Sequence, residues 1–302
     1  HIETRVVPDF STLFSDHKHE LMALPEAGAC VELMLKDKLV QKFHKKEDLL
    51  EVLRYFVSHL ARATGTFTFD EAKYEALYKR LERDVFSSSY QIRAYANLAL
   101  FSCEGDLIEL GNGLRIKKAT LDELSEIWRS RETYGTLQLA FPSEHIMELI
   151  FESPKGQALD SMPAFESFGD VVSALRLFTS CGVGYSMILE ELPLTYWGGP
   201  TVRISRPSGH SPQGSVCDLK GEELDNFLDF WKHYVKVARS RYLKRAIKRF
   251  NTAIVSLDNE DKLIDLAIAL ETIFKTGGYR LVHYVYVLLG RTPSERRDIA
   301  RF

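Results

Sequence analysis

This 302-residue chain has few cysteines, no long apolar run and no pattern typical of a secretion signal. Its four cysteines are widely spaced and form no CxxC pair, which argues against a disulfide framework or a zinc site. No apolar stretch reaches the roughly 18 residues that span a membrane. The N-terminal residues lack the apolar core of a signal peptide, and no Asn-x-Ser/Thr acceptor occurs. We therefore expect a cytoplasmic protein with no membrane partner, no metal and no cofactor.

The chain also lacks a global excess of either charge. Its net charge is only -3, so a polyanionic partner must be argued from local clusters of cations. With 45% hydrophobic and 27% charged residues, the composition is that of an ordinary globular protein. The length is compatible with one large domain or two smaller ones.

The first two hundred residues mix helix and strand signals. Apolar residues recur every three or four positions from 45 to 62, which predicts a helix, and Asp70 is placed to cap a second one. Thr120 and Glu123 form a capping box that opens a third helix, and a fourth is expected near 169–180. Apolar runs and turn residues predict strands at 29–35, 89–103, 107–110, 114–116, 137–141, 148–151 and 201–207.

Beyond these elements the pattern changes to helices alone. The polar, turn-rich segment 206–220 is interpreted as a linker. Helices are predicted after it at 221–238, 241–255, 258–275 and 279–290, with another opening at Pro293. We predict an α+β fold with a mixed α/β N-terminal domain over 1–205 and an all-helical domain over 221–302.

A cationic run dominates the helical part. Eight Lys/Arg and no acid lie between Lys232 and Arg249. These cations cannot all share one helix face, yet many of them must form a surface suited to RNA or DNA phosphates. The alternative is a solvated surface answered by upstream acids such as Glu222, Glu223 and Asp225. The interleaved aromatics have the helical spacing of core residues more than of base-stacking platforms: Trp231, Tyr234, Tyr242 and Phe250.

Glu271 is the candidate catalytic residue. It lies in a helix that is apolar on nearly every side, so we expect its carboxylate to be partly buried and to need a cationic partner. Such an acid is typical either of a functional site or of a structural ion pair with an arginine of the basic helix. Residue type alone leaves both interpretations open.

Four blocks in the C-terminal part resemble a known family: Arg249–Asn251, Leu263–Phe274, Val285–Arg291 and Ser294–Arg297. Over about residues 240–302 they are similar to the Apea-like HEPN domain. The stretch 172–178 also resembles the region that precedes this domain in longer members. The resemblance implies a helical bundle, commonly dimeric, in a superfamily that includes many metal-independent RNases of antiviral and toxin–antitoxin systems.

The resemblance implies a metal-independent RNA endonuclease of a prokaryotic antiviral or abortive-infection defence system, with tRNA among the candidate substrates. It implies a homodimer formed through the helical domain, and an N-terminal domain that senses a phage-derived or protein trigger. Glu271 would orient the catalytic arginine. The RNA-binding residues would be Lys244, Arg245, Lys248, Arg249, Arg296 and Arg297.

The catalytic signature of the family is an Arg followed four to six residues later by a His. We expect it on a helix beyond Phe302. Two pairs meet the spacing formally, Arg54 with His59 and Arg203 with His210, but neither has the right context. A non-catalytic RNA- or protein-binding regulatory module is the alternative function. A third, an enzyme with its site in the α/β domain, would need a pocket around Cys181–Ser186.

Overall fold

The structure is a computed structural model. It describes residues 17, 19–20, 23–64, 69–134, 143–193, 202–205, 212, 214–238, 240–275 and 280, apart from the side chains of residues 62, 63 and 131–134. Helices and strands are mixed along the chain, so the predicted α+β class is confirmed. Within the described residues, no helix is both long enough and apolar enough to cross a membrane.

Nine helices lie within the described residues. They are α1 (Pro25–Met34), α2 (Lys38–Phe43), α3 (Lys46–Thr64), α4 (Glu71–Phe86), α5 (Leu121–Tyr134), α6 (Met162–Thr179), α7 (Glu222–Val237), α8 (Arg241–Val255) and α9 (Asn259–Phe274). The predicted helices at 45–62, 169–180, 221–238, 241–255 and 258–275 are thereby confirmed within a few residues, except that α6 begins seven residues earlier.

Eight strands lie within the same residues. They are β1 (Ser89–Asn97), β2 (Phe101–Cys103), β3 (Leu107–Gly111), β4 (Leu114–Lys118), β5 (His145–Pro154), β6 (Ile188–Glu191), β7 (Val202–Ser205) and β8 (Cys217–Leu219). Six of them form a sheet in the order β3-β4-β5-β1-β6-β7, so the strand predicted at 201–207 is confirmed and lies at an edge of the sheet. The other two, β2 and β8, pair in parallel.

The chain divides into two compact units, and each is built from separate stretches. The first contains 1–94, 149–163 and 189–204; the second contains 95–148, 164–188 and 205–302. The last change of unit, between residues 204 and 205, coincides with the predicted boundary at 205, but the second unit also contains two earlier stretches and no change of unit occurs at 220. The interpretation of 206–220 as a linker is wrong in part, because residues 217–219 form β8 and its backbone pairs with β2.

Each unit has its own buried core. In the first unit, helices α1 to α4 bury a cluster of Val31, Met34, Val40, Leu49, Val52, Phe56, Leu81 and Val85. In the second unit, α6 is the most completely buried helix, with Phe168, Val171, Val172 and Leu175 excluded from solvent. Burial of these apolar side chains is the main source of stability for both cores.

The segment 29–35 is helical, so the strand prediction there is wrong. Its apolar run has no clear period of two, and a short apolar run fits either element. The decisive signals are Pro25 at the start of α1 and Glu26 in the first turn, both favoured at helix N-termini. Val31 and Met34, three residues apart, are buried, while Leu33 is 63% exposed.

Local sequence signals set several other boundaries as predicted. The Asp70 side chain accepts a hydrogen bond from the backbone N–H of Lys73 and caps α4. The β3–β4 hairpin turns at Asn112 and Gly113, whose φ angles of 53° and 76° suit an Asn-Gly turn. The predicted strand at 137–141, the helix at 279–290 (of which only residue 280 is described) and the helix from Pro293 lie outside the described residues.

The capping box of α5 gives a first testable prediction. The Glu123 N–H donates to Thr120 Oγ1 at 3.3 Å, and the Thr120 N–H donates to Glu123 Oε2 at 2.7 Å. Thr120→Ala should lower the free energy of unfolding by about 1 kcal/mol, as is usual for the loss of a helix cap. Urea unfolding measures this change. Thr120→Ser keeps the hydroxyl and should stay near the wild type; an equal loss in both variants contradicts the capping role.

Candidate nucleic-acid interface

Helix α8 is strongly two-sided. It begins after Ser240, an extended N-cap residue, and ends at Val255 before the extended Ser256. Its buried residues are Ala246, Asn251 and Ala253. They hold one side of the helix in the second unit, and the opposite side is exposed.

Five exposed cations occupy that opposite side: Arg241, Lys244, Arg245, Lys248 and Arg249. At 3.6 residues per turn they fall within an arc of about 140° around the helix axis. We call this surface the cationic face of α8. The helix itself contains no acid, so nothing within α8 neutralises the face.

Two of the five cations have an acidic partner in the described part of the chain. Lys244 Nζ lies 3.9 Å from Glu166, and both side chains are about 60% exposed, so this pair contributes little. Arg249 Nη1 lies 2.8 Å from Asp265 Oδ1. No acid within ion-pair distance of the other three is found among the described residues.

The interleaved aromatics divide between core and surface. Trp231 and Tyr234 are buried, as predicted for core residues, with ring centroids 5.8 Å apart. Tyr242 is 55% exposed, and Lys275 Nζ lies 4.2 Å from its ring centroid. On α8, Tyr242 is three residues before Arg245 and therefore next to it. An exposed aromatic ring beside cations is the arrangement with which proteins stack unpaired bases.

The expectation that Glu271 is partly buried is wrong. Its side chain is exposed on α9. The buried residues of α9 are Asp265 and Ala269, four residues apart, and a position two residues beyond Ala269 turns away from that side. The buried carboxylate that pairs with an arginine of the basic helix therefore belongs to Asp265. A catalytic role for Glu271 stays a prediction, and Arg296 and Arg297 lie outside the described residues.

A pocket opens beside the cationic face, and α6, α7 and α8 form its walls. We call it the three-helix pocket. Its volume is about 580 Å³. Lys244 and Lys248 line it as well as belonging to the cationic face. The remaining lining residues are Phe165, Glu166, Gly169, Asp170, Ser173, Tyr234, Ala238, Ile247, Asn251 and Thr252.

A buried polar network supports the pocket from below. Arg176, fully buried in α6, donates from Nε to the Val183 carbonyl at 2.9 Å and from Nη1 to Asn251 Oδ1 at 3.3 Å. Asn251 Nδ2 donates to Ser173 Oγ at 2.6 Å. Burial lowers the pKa of Arg176 to about 10, so the guanidinium is charged at neutral pH. These bonds fix Asn251 and Ser173 where they line the pocket.

The wall on the α7 side is fixed in a similar way. Tyr234 donates its hydroxyl hydrogen to Asp170 Oδ1 at 3.3 Å. Burial raises the pKa of Tyr234, with the Asp170 carboxylate adding to the effect, so the phenol stays protonated. The pocket thus has a rim with two lysines and one glutamate, and a polar floor held by internal hydrogen bonds.

Sequence reasoning missed this site because its parts are distant along the chain. Arg176 and Asn251 are 75 positions apart. The available signal was the arginine itself, which interrupts the apolar positions of α6, since a buried cation needs hydrogen-bond acceptors. Both residues belong to stretches that carry the family resemblance, but the sequence gives neither of them a role.

The arginines of the two Arg/His pairs that meet the family spacing both form ion pairs with acids. Arg54 is 8% exposed, and its Nε donates to Glu51 at 2.9 Å. Arg203 Nε donates to the buried Glu190 at 2.7 Å, and His210 lies outside the described residues. These ion pairs suit a structural role for the two arginines.

The second unit also contains a cysteine–histidine contact. Cys103 Sγ lies 3.2 Å from His145 Nε2. Burial raises the pKa of Cys103 and lowers that of His145, so both groups are neutral at pH 7. A nucleophilic cysteine needs the thiolate, which this environment disfavours. Cys181, the first residue of the third candidate site, is 1% exposed.

Comparisons of the chain with protein-family models, with curated proteins and with solved structures found no match. The cationic face and the pocket beside it are therefore the basis for the functional argument.

Proposed function

We propose that this chain binds RNA through the cationic face of α8. The observation that carries the proposal is the set of five exposed cations on a helix side without an acid, three of which have no acidic partner among the described residues. Such a surface neutralises phosphates and gives sequence-independent, salt-dependent affinity. The exposed Tyr242 ring adds a platform for an unpaired base, which favours single-stranded RNA over DNA duplexes.

We further propose, from the family resemblance, that bound RNA is cleaved without a metal ion. In such a reaction the 2′-hydroxyl oxygen attacks the adjacent phosphorus, the P–O5′ bond breaks, and a 2′,3′-cyclic phosphate and a 5′-hydroxyl form. A base removes the 2′ proton and an acid protonates the leaving oxygen. The cationic face would hold the flanking phosphates. An HEPN-like bundle over 221–302, a homodimer, a cytoplasmic location, and a defence role with a phage-derived or protein trigger belong to this proposal.

A non-catalytic RNA-binding module is the second candidate. It is favoured by the chemistry of α8, which contains no histidine, and by Asp265, whose carboxylate is held by Arg249. Within the described residues, the carboxylates at ion-pair distance from the cationic face are Glu166 beside Lys244 and Asp265 beside Arg249. Binding and cleavage therefore need separate tests.

Charge reversal tests the binding step. The double variant Arg245→Glu/Lys248→Glu should weaken single-stranded RNA binding at least tenfold, because two phosphate contacts become repulsions. The slope of log K against log salt should fall by about 1.4, at about 0.7 per contact. Gel shifts at several salt concentrations measure both quantities.

The matched control is Lys36→Glu/Lys38→Glu, which makes the same charge change at two exposed lysines of the first unit. It should leave RNA affinity within about twofold of the wild type. Equal weakening by the two double variants contradicts a specific role for α8.

Incubation of the protein with total RNA and defined tRNAs in EDTA tests the cleavage step. Discrete fragments with 2′,3′-cyclic phosphate ends are expected, and they should disappear in the α8 double variant. Intact RNA that still shifts in a gel supports the non-catalytic module. Fragments that persist unchanged in Glu271→Ala remove that residue from the catalytic proposal.

A further inference from the structure

We propose that the three-helix pocket binds a single unstacked nucleotide of the RNA, with its phosphate at Lys244 and Lys248. This inference rests on the proposed RNA binding and names the part of the ligand that the pocket takes. Its basis is a juxtaposition: the same two lysines belong to the cationic face and to the rim of the pocket. A strand whose phosphates follow the face therefore passes the mouth of the pocket.

Size restricts what enters. A volume of about 580 Å³ lies within the range of roughly 300–1,000 Å³ that small-molecule sites occupy. One nucleotide is a ligand of that class, whereas a base-paired duplex is not. The pocket is therefore suited to a base that has left its stack, as in a loop, a bulge or a single strand.

The walls suit a base and the rim suits a phosphate. Phe165, Ile247 and Ala238 give apolar surface, and the half-buried Phe165 ring can contact the face of a base. Lys244 and Lys248 are both exposed at the rim, where a phosphate stays in contact with water. Cations at the mouth and apolar surface inside match the two ends of a nucleotide.

The floor favours recognition by shape over recognition of a particular base. Asn251 uses its oxygen to accept from Arg176 and its amide nitrogen to donate to Ser173. Ser173 in turn donates to the Gly169 carbonyl at 2.6 Å. Because these groups are already engaged with one another, we expect adenine and uracil nucleotides to bind with affinities within about tenfold.

Two acids also line the pocket, and one of them gives a test with the opposite sign. Asp170 accepts a hydrogen bond from Tyr234, whereas Glu166 is 62% exposed at the rim, 3.9 Å from Lys244. A phosphate at Lys244 must be close to the Glu166 carboxylate and is repelled by it. Glu166→Gln should therefore strengthen nucleotide binding about two- to fivefold, the range expected for one exposed charge.

Isothermal titration of the full chain with AMP, with UMP and with inorganic phosphate is the direct experiment. We expect both nucleotides to bind with higher affinity than phosphate, because phosphate uses only the rim. Thr252→Trp, at an exposed position of the pocket lining, should narrow the pocket and weaken AMP binding at least tenfold. Leu257→Trp, which adds the same ring at an exposed position outside the pocket, is the matched control and should bind AMP like the wild type.

Arg245→Glu separates this inference from the proposed function, because Arg245 belongs to the cationic face but does not line the pocket. It should weaken RNA binding more than AMP binding, because the RNA strand loses a phosphate contact at Arg245, whereas AMP is affected only by the new carboxylate one turn away from Lys248. If Arg245→Glu weakens RNA binding but neither nucleotide binds the wild type better than phosphate, the pocket inference fails and the proposed function stands. If neither Arg245→Glu nor the α8 double variant changes RNA affinity, the proposed function fails. An AMP affinity that is the same in the wild type, in Glu166→Gln and in Thr252→Trp also overturns the pocket inference.

Discussion

Replacement of Asn251 by alanine is expected to lower the free energy of unfolding by about 3 kcal/mol. The substitution removes the oxygen that accepts from the buried Arg176 and the amide that donates to Ser173. A buried hydrogen-bonding group that loses its partner costs about 1–3 kcal/mol, and more when that group is charged. Here one charged group and one hydroxyl each lose a partner.

Urea unfolding at pH 7 measures this loss, and two neighbouring changes serve as comparisons. Asn251→Asp keeps an acceptor for Arg176 and loses only the donor to Ser173, so a smaller loss is expected. Thr252→Ala alters the next, exposed residue and should change stability by no more than about 0.5 kcal/mol. If Asn251→Ala behaves like Thr252→Ala, the network does not support α8.

Acidification should destabilise the first unit through His44. Burial lowers the pKa of His44 to about 4, with the nearby Lys155 adding to the effect and Asp48 opposing it. The folded state thus favours the neutral imidazole. The contribution of the neutral imidazole to the free energy of unfolding is present above the ordinary pKa of 6.5 and is lost as the pH falls towards 4. The interval between 6.5 and about 4 corresponds to about 3 kcal/mol, since one pH unit is worth about 1.36 kcal/mol.

Lys155 does not contribute to the loss of stability between pH 6.5 and about pH 4. Burial lowers its pKa to about 8, with Asp84 opposing, so the ammonium is charged below pH 6.5 in both the folded and the unfolded state. The fold keeps this charge because Nζ donates to the Val85 carbonyl at 2.9 Å and lies 5.2 Å from the Tyr90 ring centroid.

Unfolding free energies measured at pH 7.5, 6, 5 and 4.5 test the role of His44. His44→Gln cannot take up a proton, so it should lose much less stability over this interval than the wild type. His233→Gln changes an exposed histidine and should keep the full acid dependence. A pH profile of His44→Gln that matches the wild type would show that other groups cause the acid loss.

The sequence predicts those features whose determinants are close together. Thr120 and Glu123 are three residues apart, and their two hydrogen bonds form as expected. The Asn112–Gly113 turn likewise follows from the conformational preference of two adjacent residues. The strand prediction for 29–35 is wrong because the apolar run fits either a helix or a strand, and the helix start signal at Pro25 lies four residues upstream.

The environment of a side chain depends on which face of its helix packs against the rest of the protein. A helix that is apolar on nearly every side gives no sequence signal for that face. Nearly every position around Glu271 is apolar, yet Leu263 is 68% exposed and Asp265 is buried. The sequence allows an ion pair between Glu271 and an arginine of the basic helix, whereas in the structure Arg249 pairs with Asp265. Contacts such as Cys103 with His145, 42 positions apart, have no local signature at all.

The pairing of β2 with β8 has a consequence for synthesis on the ribosome. Phe101 in β2 aligns with Cys217 in β8, so β2 leaves the ribosome more than a hundred residues before its partner. The first compact unit also needs residues 189–204, and the second needs residues beyond 205. Neither unit can be completed while the first half of the chain is being translated. Early compaction must then come from local helices such as α3 and α4, and the nascent chain keeps an unpaired strand edge until β8 emerges.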